Sequence, residues 1–191
     1  MPRQPSLDIA NLSLTDIARA LAEQRLPPVD QWNPTHCGDS EMRIARDGSW
    51  FHQGSPIGRK AMVQLFSTIL RREPDGSYVL VTPGEKLDII VEDAPFVAVE
   101  VKNEGVGRQR RLAFRLNTDE IVIAGPDHPL WFEMRDDGPH PYLRVRGRAP
   151  RALDALINRS VYYELVNWAL EEGADRPALW SDGLQFGLAP A

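Results

Sequence analysis

Cysteine is almost missing from this chain. Cys37 is its only one, which excludes an internal disulfide framework and a Cys-only zinc site within one chain, and suits a reducing compartment. Long apolar runs are missing too, none approaching the roughly 18 residues that span a bilayer. Met1-Pro2-Arg3-Gln4-Pro5-Ser6 lacks the apolar core of a signal peptide, so a cytoplasmic protein without membrane insertion is expected. Basic charge is not in excess: 22 basic against 27 acidic residues give a formal charge of -5. Nothing in that balance draws nucleic acid or an anionic membrane, and any anion site has to be local.

Catalytic and metal signatures are equally thin. His36, His52, His128 and His140 show neither an i, i+4 pair nor the Cys-His spacing of a zinc motif, so no metal and no cofactor are expected. His36-Cys37 beside Gly38-Asp39 offers a thiol next to a base, but neighbours in an extended chain point apart. A buried structural cysteine is the expectation. No serine sits in a nucleophile elbow, and Gly105-Val106-Gly107-Arg108 joins two β segments instead of opening a helix, which excludes a dinucleotide loop. A binding protein is favoured over an enzyme.

Proline and glycine are what the chain does have, 16 and 14 among 191 residues, implying many short elements. The first helix is predicted from Ser13, with Leu12 and Ile17 as a hydrophobic staple, and Pro27-Pro28 ends it. Val29 to Asp39 is rich in turn formers, yet Trp32 and Cys37 favour burial, which predicts an irregular packed strap. Met42 to Ala45 and Ser49 to His52 flank Asp47-Gly48, a hairpin signal. A helix is predicted over Pro56 to Arg72, with Ser55 as N-cap and Met62, Leu65, Phe66 and Ile69 on one face. Tyr78 to Thr82 reads as a buried strand.

Pro83-Gly84 is the expected boundary between an N-terminal α+β domain, 1–82, and a β-rich C-terminal domain, 83–191. In the second, strands are predicted over Leu87 to Val91, Phe96 to Val101, Arg111 to Leu116, Glu120 to Ala124, Leu130 to Met134 and Tyr142 to Val145. A long helix over Arg151 to Glu172 follows, with Leu153, Leu156, Ile157, Leu165 and Trp168 as its core stripe. A hairpin around Asp182-Gly183 closes the chain. Residues 43–82 read strand, Asp-Gly, strand, Arg, helix, strand, and residues 130–188 read strand, Asp-Gly, strand, Arg, helix, strand pair, an order that suggests two similar halves.

Both predicted helices start on basic clusters: Gly54-Ser55-Pro56-Ile57-Gly58-Arg59-Lys60 and Arg146-Gly147-Arg148-Ala149-Pro150-Arg151. A helix N-terminus carries partial positive charge and disfavours cations there unless something negative is near. A bound phosphate or carboxylate supplies it, as do Glu85, Glu92 and Asp93 or plain solvent. Trp50 and Phe51 face opposite ways on a strand, so one is free to stack on a planar anion. The candidate ligand-binding residues are Arg46, Trp50, His52, Arg59 and Lys60, with Glu85, Lys86 and Asp93 from the boundary.

The ordered series Trp32-Asn33-Pro34, Cys37-Gly38-Asp39, Asp47-Gly48-Ser49-Trp50-Phe51-His52, Gly54-Ser55-Pro56-Ile57, Leu65-Phe66-Ser67, Leu80-Val81-Thr82-Pro83, Glu85-Lys86 and Val91-Glu92-Asp93-Ala94-Pro95-Phe96 resembles the bacterial family catalogued as domain of unknown function 1285, from about Pro28 to Gly187. The resemblance implies a duplicated α+β core whose second half is a barrel-like domain similar to a pleckstrin-homology fold with a C-terminal helix. It also implies a ligand site at the interface, for a nucleotide-like molecule in signal transduction. It brings no catalytic residues. The expected function is small-ligand binding; a protein-interaction adaptor using the β-rich half, or a hydrolase-type enzyme, are the alternatives.

Overall fold

The computed structural model describes residues 26–172 and 177–188; the helix expected from Ser13 and the Gly173 end of the last helix lie outside them. The chain forms two compact units. One holds Leu26–Val97 with Arg144–Leu156, the other Ala98–Leu143 and the described residues from Ile157 on. The two are alike in being β-rich with one α-helix each among the described residues.

In the first unit, strands β1 (His36–Ile44), β2 (Trp50–His52), β3 (Ser55–Pro56), β4 (Leu70–Arg72), β5 (Tyr78–Val81) and β6 (Glu85–Val91) and helix α1 (Lys60–Thr68) follow in chain order. The sheet runs β3-β2-β1-β6-β5-β4, with β1 and β6 parallel and the other pairs antiparallel. Asp47-Gly48 makes the expected β1–β2 turn: Gly48 takes φ 83°, a conformation open to glycine, and the Ser49 amide donates to Asp47 Oδ1 at 2.9 Å. Alternation puts Met42, Ile44, Trp50 and Ile89 into the core. A bulge in β1 between Asp39 and Met42 shifts the register against β6.

The predicted Pro56–Arg72 helix is corrected at both ends. Ser55–Pro56 pair with His52 and Phe51 at the sheet's end, where a residue without an N–H is tolerated, and α1 begins only after Arg59. It stops at Thr68 because Leu70–Arg72 pair with Leu80–Tyr78. That pairing buries Leu70 to 1% exposure, and tertiary burial overrides a weak helical propensity. Met62 and Leu65, assigned to a core face, stay exposed. Cys37, expected to be buried, is exposed in β1. The strap is partly regular: Val29–Gln31 form a 3-10 turn and His36 already starts β1.

The other strands are β7 (Phe96–Glu104), β8 (Arg111–Leu116), β9 (Ile121–Ile123), β10 (Leu130–Arg135), β11 (Gly138–Arg146), β12 (Leu153–Ile157), β13 (Ala178–Ser181) and β14 (Leu184–Gly187), with helix α2 (Arg159–Glu171). β7-β8-β9 form an antiparallel meander, while β10–β11 and β13–β14 are hairpins. Ile121 and Val122 are buried on successive faces, as their apolar run implies. The predicted Arg151–Glu172 helix is again too long. Leu153, Ala155 and Ile157 are buried in a strand, and α2 keeps the stripe Val161, Leu165, Ala169 at helical spacing. Among the described residues no helix is long and apolar enough to cross a membrane.

Candidate functional site

Within the unit of Leu26–Val97 and Arg144–Leu156 lies a cleft of about 310 Å³, near the lower end of small-molecule sites. Three stretches distant in sequence wall it: Leu26 to Gln31 of the strap, Thr68, Leu70 and Arg71 at the α1–β4 junction, and Arg146, Gly147, Arg151 and Leu153 around the β11–β12 loop.

Local chemistry fixes each wall. Pro28 precedes the 3-10 turn, which is closed by Val29 N–H to the Pro27 carbonyl at 2.8 Å and Gln31 N–H to the Pro28 carbonyl at 3.0 Å. Gly147 takes φ 68°, and a Cβ there would lie 2.9 Å from the Arg151 carbonyl oxygen; only glycine fits that turn.

The strap is held down by Arg71. This side chain is 3% exposed, its Nη1 donates to the carbonyls of Val29 at 2.8 Å and Trp32 at 2.7 Å, and its Nε pairs with Glu73 at 2.6 Å. Burying a cation is tolerable only with such partners. Arg146 donates from Nη1 to the Ser67 carbonyl at 2.9 Å, and its guanidinium lies over the Phe96 ring at 5.2 Å. Arg151 reaches Asp30 at 3.5 Å, a long contact between partly exposed groups. Three arginines and one carboxylate, Asp30, therefore stand among the described lining residues.

The residues singled out beforehand lie elsewhere in the same unit, and they do not make one cluster. Trp50 is buried against Phe66, ring centroids 6.4 Å apart, so its half-buried neighbour Phe51 is the one facing out, under the Arg43 guanidinium. His52 shares the Trp50 side of β2 and is exposed. Arg46 follows β1, its amide donating to Glu92 Oε2. Arg59 and Lys60 start α1, both exposed. Glu85 and Lys86 begin β6 beside His36 and Cys37, at the opposite end of the nine-residue β1 from Ile44 and its partner Trp50, roughly 25 Å away at strand rise. Asp93 is half-buried after β6. Arg146 and Arg151, in the second basic cluster, are the flagged cations that reach the cleft. Arg71 carried no signal, since a cation at the end of a predicted helix reads as solvated.

Cys37 and His36 occupy consecutive strand positions with side chains on opposite faces, which does not pair a thiol with a base. Among the described residues no three His, Cys, Asp or Glu side chains gather as metal ligands would.

A family model described as domain of unknown function (DUF1285), N-terminal domain, matches residues 27–94, and one described as protein of unknown function (DUF1285), C-terminal domain, matches residues 95–188. Among solved structures, a DUF1285 family protein from Silicibacter pomeroyi DSS-3 is 44% identical, with a TM-score of 0.77 over 94% of this chain and 96% of that one. A DUF1285 family protein from Shewanella baltica OS155 is 26% identical, with a TM-score of 0.51 over 66% of this chain and 91% of that one. No curated protein matches.

Proposed function

The chain belongs to the DUF1285 family, whose descriptions name no activity, and from that premise we propose that it is a binding protein for a small anionic ligand. The observation that carries this is the cleft, whose described lining brings Arg71, Arg146 and Arg151 together with the carboxylate of Asp30. Guanidinium groups recognise carboxylate and phosphate through paired, charge-assisted hydrogen bonds. The 3.5 Å contact between Arg151 and Asp30 is the weakest of the ties, and it is the one a ligand acid replaces. Because Asp30 belongs to the strap, occupancy changes what holds the strap, which is how such a protein acts as a sensor. We further read the fold as α+β, with the Ala98–Leu143 and Ile157–Leu188 unit similar to a pleckstrin-homology domain. The β7-β8-β9 meander, the β10–β11 hairpin and the following α2 support that reading.

The test is thermal unfolding of the full chain with carboxylate and phosphate compounds. A ligand at about a hundred times its Kd adds about 2.7 kcal/mol, which for a chain of this size raises Tm by about 5–11 °C. Arg151→Ala abolishes the shift and Arg59→Ala leaves it intact. The reverse pattern moves the site to the start of α1, and flat curves for the wild type sink the proposal.

A further inference from the structure

We infer that the open edge of β10 is a self-association surface, and that its partner is a second copy of this chain, paired antiparallel about Phe132. β10 ends its sheet and pairs with β11 alone. Among the described edge strands it is the longest, six residues against two to four in β3, β4, β9, β13 and β14.

Register fixes which backbone groups this edge offers. Arg135 and Gly138 flank the Asp136-Asp137 turn and stand opposite each other, so Arg135, Glu133 and Trp131 turn their N–H and C=O groups to β11, while Met134, Phe132 and Leu130, alternating with them, turn theirs away. The prolines of β11 agree. Pro139 and Pro141 stand opposite Met134 and Phe132, where no N–H is needed toward β10. Exposed edges are commonly blunted by lysine, proline or a bulge. Leu130–Arg135 contains neither residue, and it pairs with β11 without a register shift. Its two charges, Glu133 and Arg135, are tied to each other at 2.6 Å, and Met134 is 60% exposed.

Those outward groups choose the partner and the register together. A two-fold axis normal to the sheet at Phe132 sets that residue against the partner's Phe132, and Leu130 against the partner's Met134, so all three outward residues enter bonding pairs. On the other face Trp131 meets the partner's Glu133, and no like charges stand opposite each other. The neighbouring registers are worse. Centring on Glu133 opposes two carboxylates, and centring on Trp131 carries Met134 beyond the end of the paired strand. A strand from another protein would meet the same backbone, but an edge that is neutral and complementary to itself favours its own copy. Phe132 is held for the contact by the Tyr162 ring of α2, edge-on with centroids 6.1 Å apart. A strip of six residues, roughly 20 Å long, falls short of the about 1,200 Å² of a stable interface, so the dimer depends on concentration.

Sedimentation equilibrium of the full chain from micromolar to millimolar protein tests this, and the mass is expected to rise from 21.5 kDa toward twice that value. Met134→Pro removes an outward N–H and leaves the β10–β11 ladder whole. The two-fold repeats that loss in both copies, so self-association weakens at least about tenfold while the Tm of dilute protein stays the same. Met134→Thr keeps the N–H and associates as the wild type does. If Met134→Pro also lowers the dilute Tm, Met134→Lys, which sets a charge against the partner's Leu130, is expected to give the same loss. Leu65→Lys, on the exposed face of α1, leaves association unchanged. A 21.5 kDa species at every concentration overturns the proposal, as does self-association that survives both Met134→Pro and Met134→Lys. A loss with Met134→Thr as large as with Met134→Pro means an apolar contact in place of strand pairing, and overturns it too.

Discussion

Arg71 matters for what it joins. Its guanidinium links Glu73 to the carbonyls of Val29 and Trp32, so Arg71→Met, which keeps the aliphatic bulk, orphans two carbonyls and a carboxylate together. Breaking a buried pair by removing one partner costs about 3–5 kcal/mol, and Glu73 is partly exposed, so a loss of about 2–4 kcal/mol is expected. Urea unfolding measures it as a lower midpoint at unchanged slope. A loss under about 1 kcal/mol would mean that water serves the strap carbonyls as well as Arg71 does. Turn carboxylates behave differently. Asp75 accepts from the Ser77 hydroxyl at 2.7 Å and amide at 3.0 Å, and those bonds, the hydroxyl first, hold its carboxyl below the ordinary range. A depressed folded pKa gives stability that is present above the unfolded value of about 3.9 and is lost as pH falls through the lower folded value. The stability gap between wild type and Asp75→Asn is therefore expected to be flat above about pH 5 and to close below about pH 4; a gap independent of pH down to 2 contradicts it. Turn residues such as Asp47-Gly48 were legible in the sequence because their chemistry is local. Arg71 was not, because all that defines it is non-local.

Elements divide along the same line. Every predicted strand from Tyr78 to Val145 has a counterpart within a few residues, since alternation and bounding turns carry that information. Both long helices were overdrawn because short stretches free of turn formers suit strand and helix alike: Leu70-Arg71-Arg72 and Leu153-Asp154-Ala155-Leu156-Ile157 pass for helix until a partner strand is known. A pair of substitutions separates the two assignments. If Leu70 belongs to β4, 1% exposed, Leu70→Ala costs about 2–5 kcal/mol. Leu65, on the outer face of α1 and 62% exposed, changes stability by no more than about 0.5 kcal/mol. The predicted helix, with Leu65 on its core face, demands a substantial cost at Leu65 too, and chemical denaturation of the two variants side by side decides between them.

At the scale of the whole chain, family boundaries and physical units do not coincide. The two family models meet between residues 94 and 95, yet the unit that begins at Leu26 runs to Val97 and takes in Arg144–Leu156 as well. The cleft explains what the returning segment contributes: Arg146, Gly147, Arg151 and Leu153 are four of its lining residues, and Arg151 meets Asp30 across 121 residues of sequence. A site assembled at that separation leaves no compact motif, which is why the second basic cluster was visible while its partner in the strap, Asp30, was not. A chain cut at residue 94 consequently loses Arg146, Arg151, Leu153 and the Phe96 ring beneath Arg146. The 1–94 fragment is expected either to lack a cooperative unfolding transition or, if it folds, to show no stabilisation by any carboxylate that stabilises the full chain. Differential scanning fluorimetry of both, with the same carboxylate and phosphate compounds, makes the comparison. Binding by the fragment with full-chain affinity would place the anion site within residues 1–94 and remove the β11–β12 loop from it.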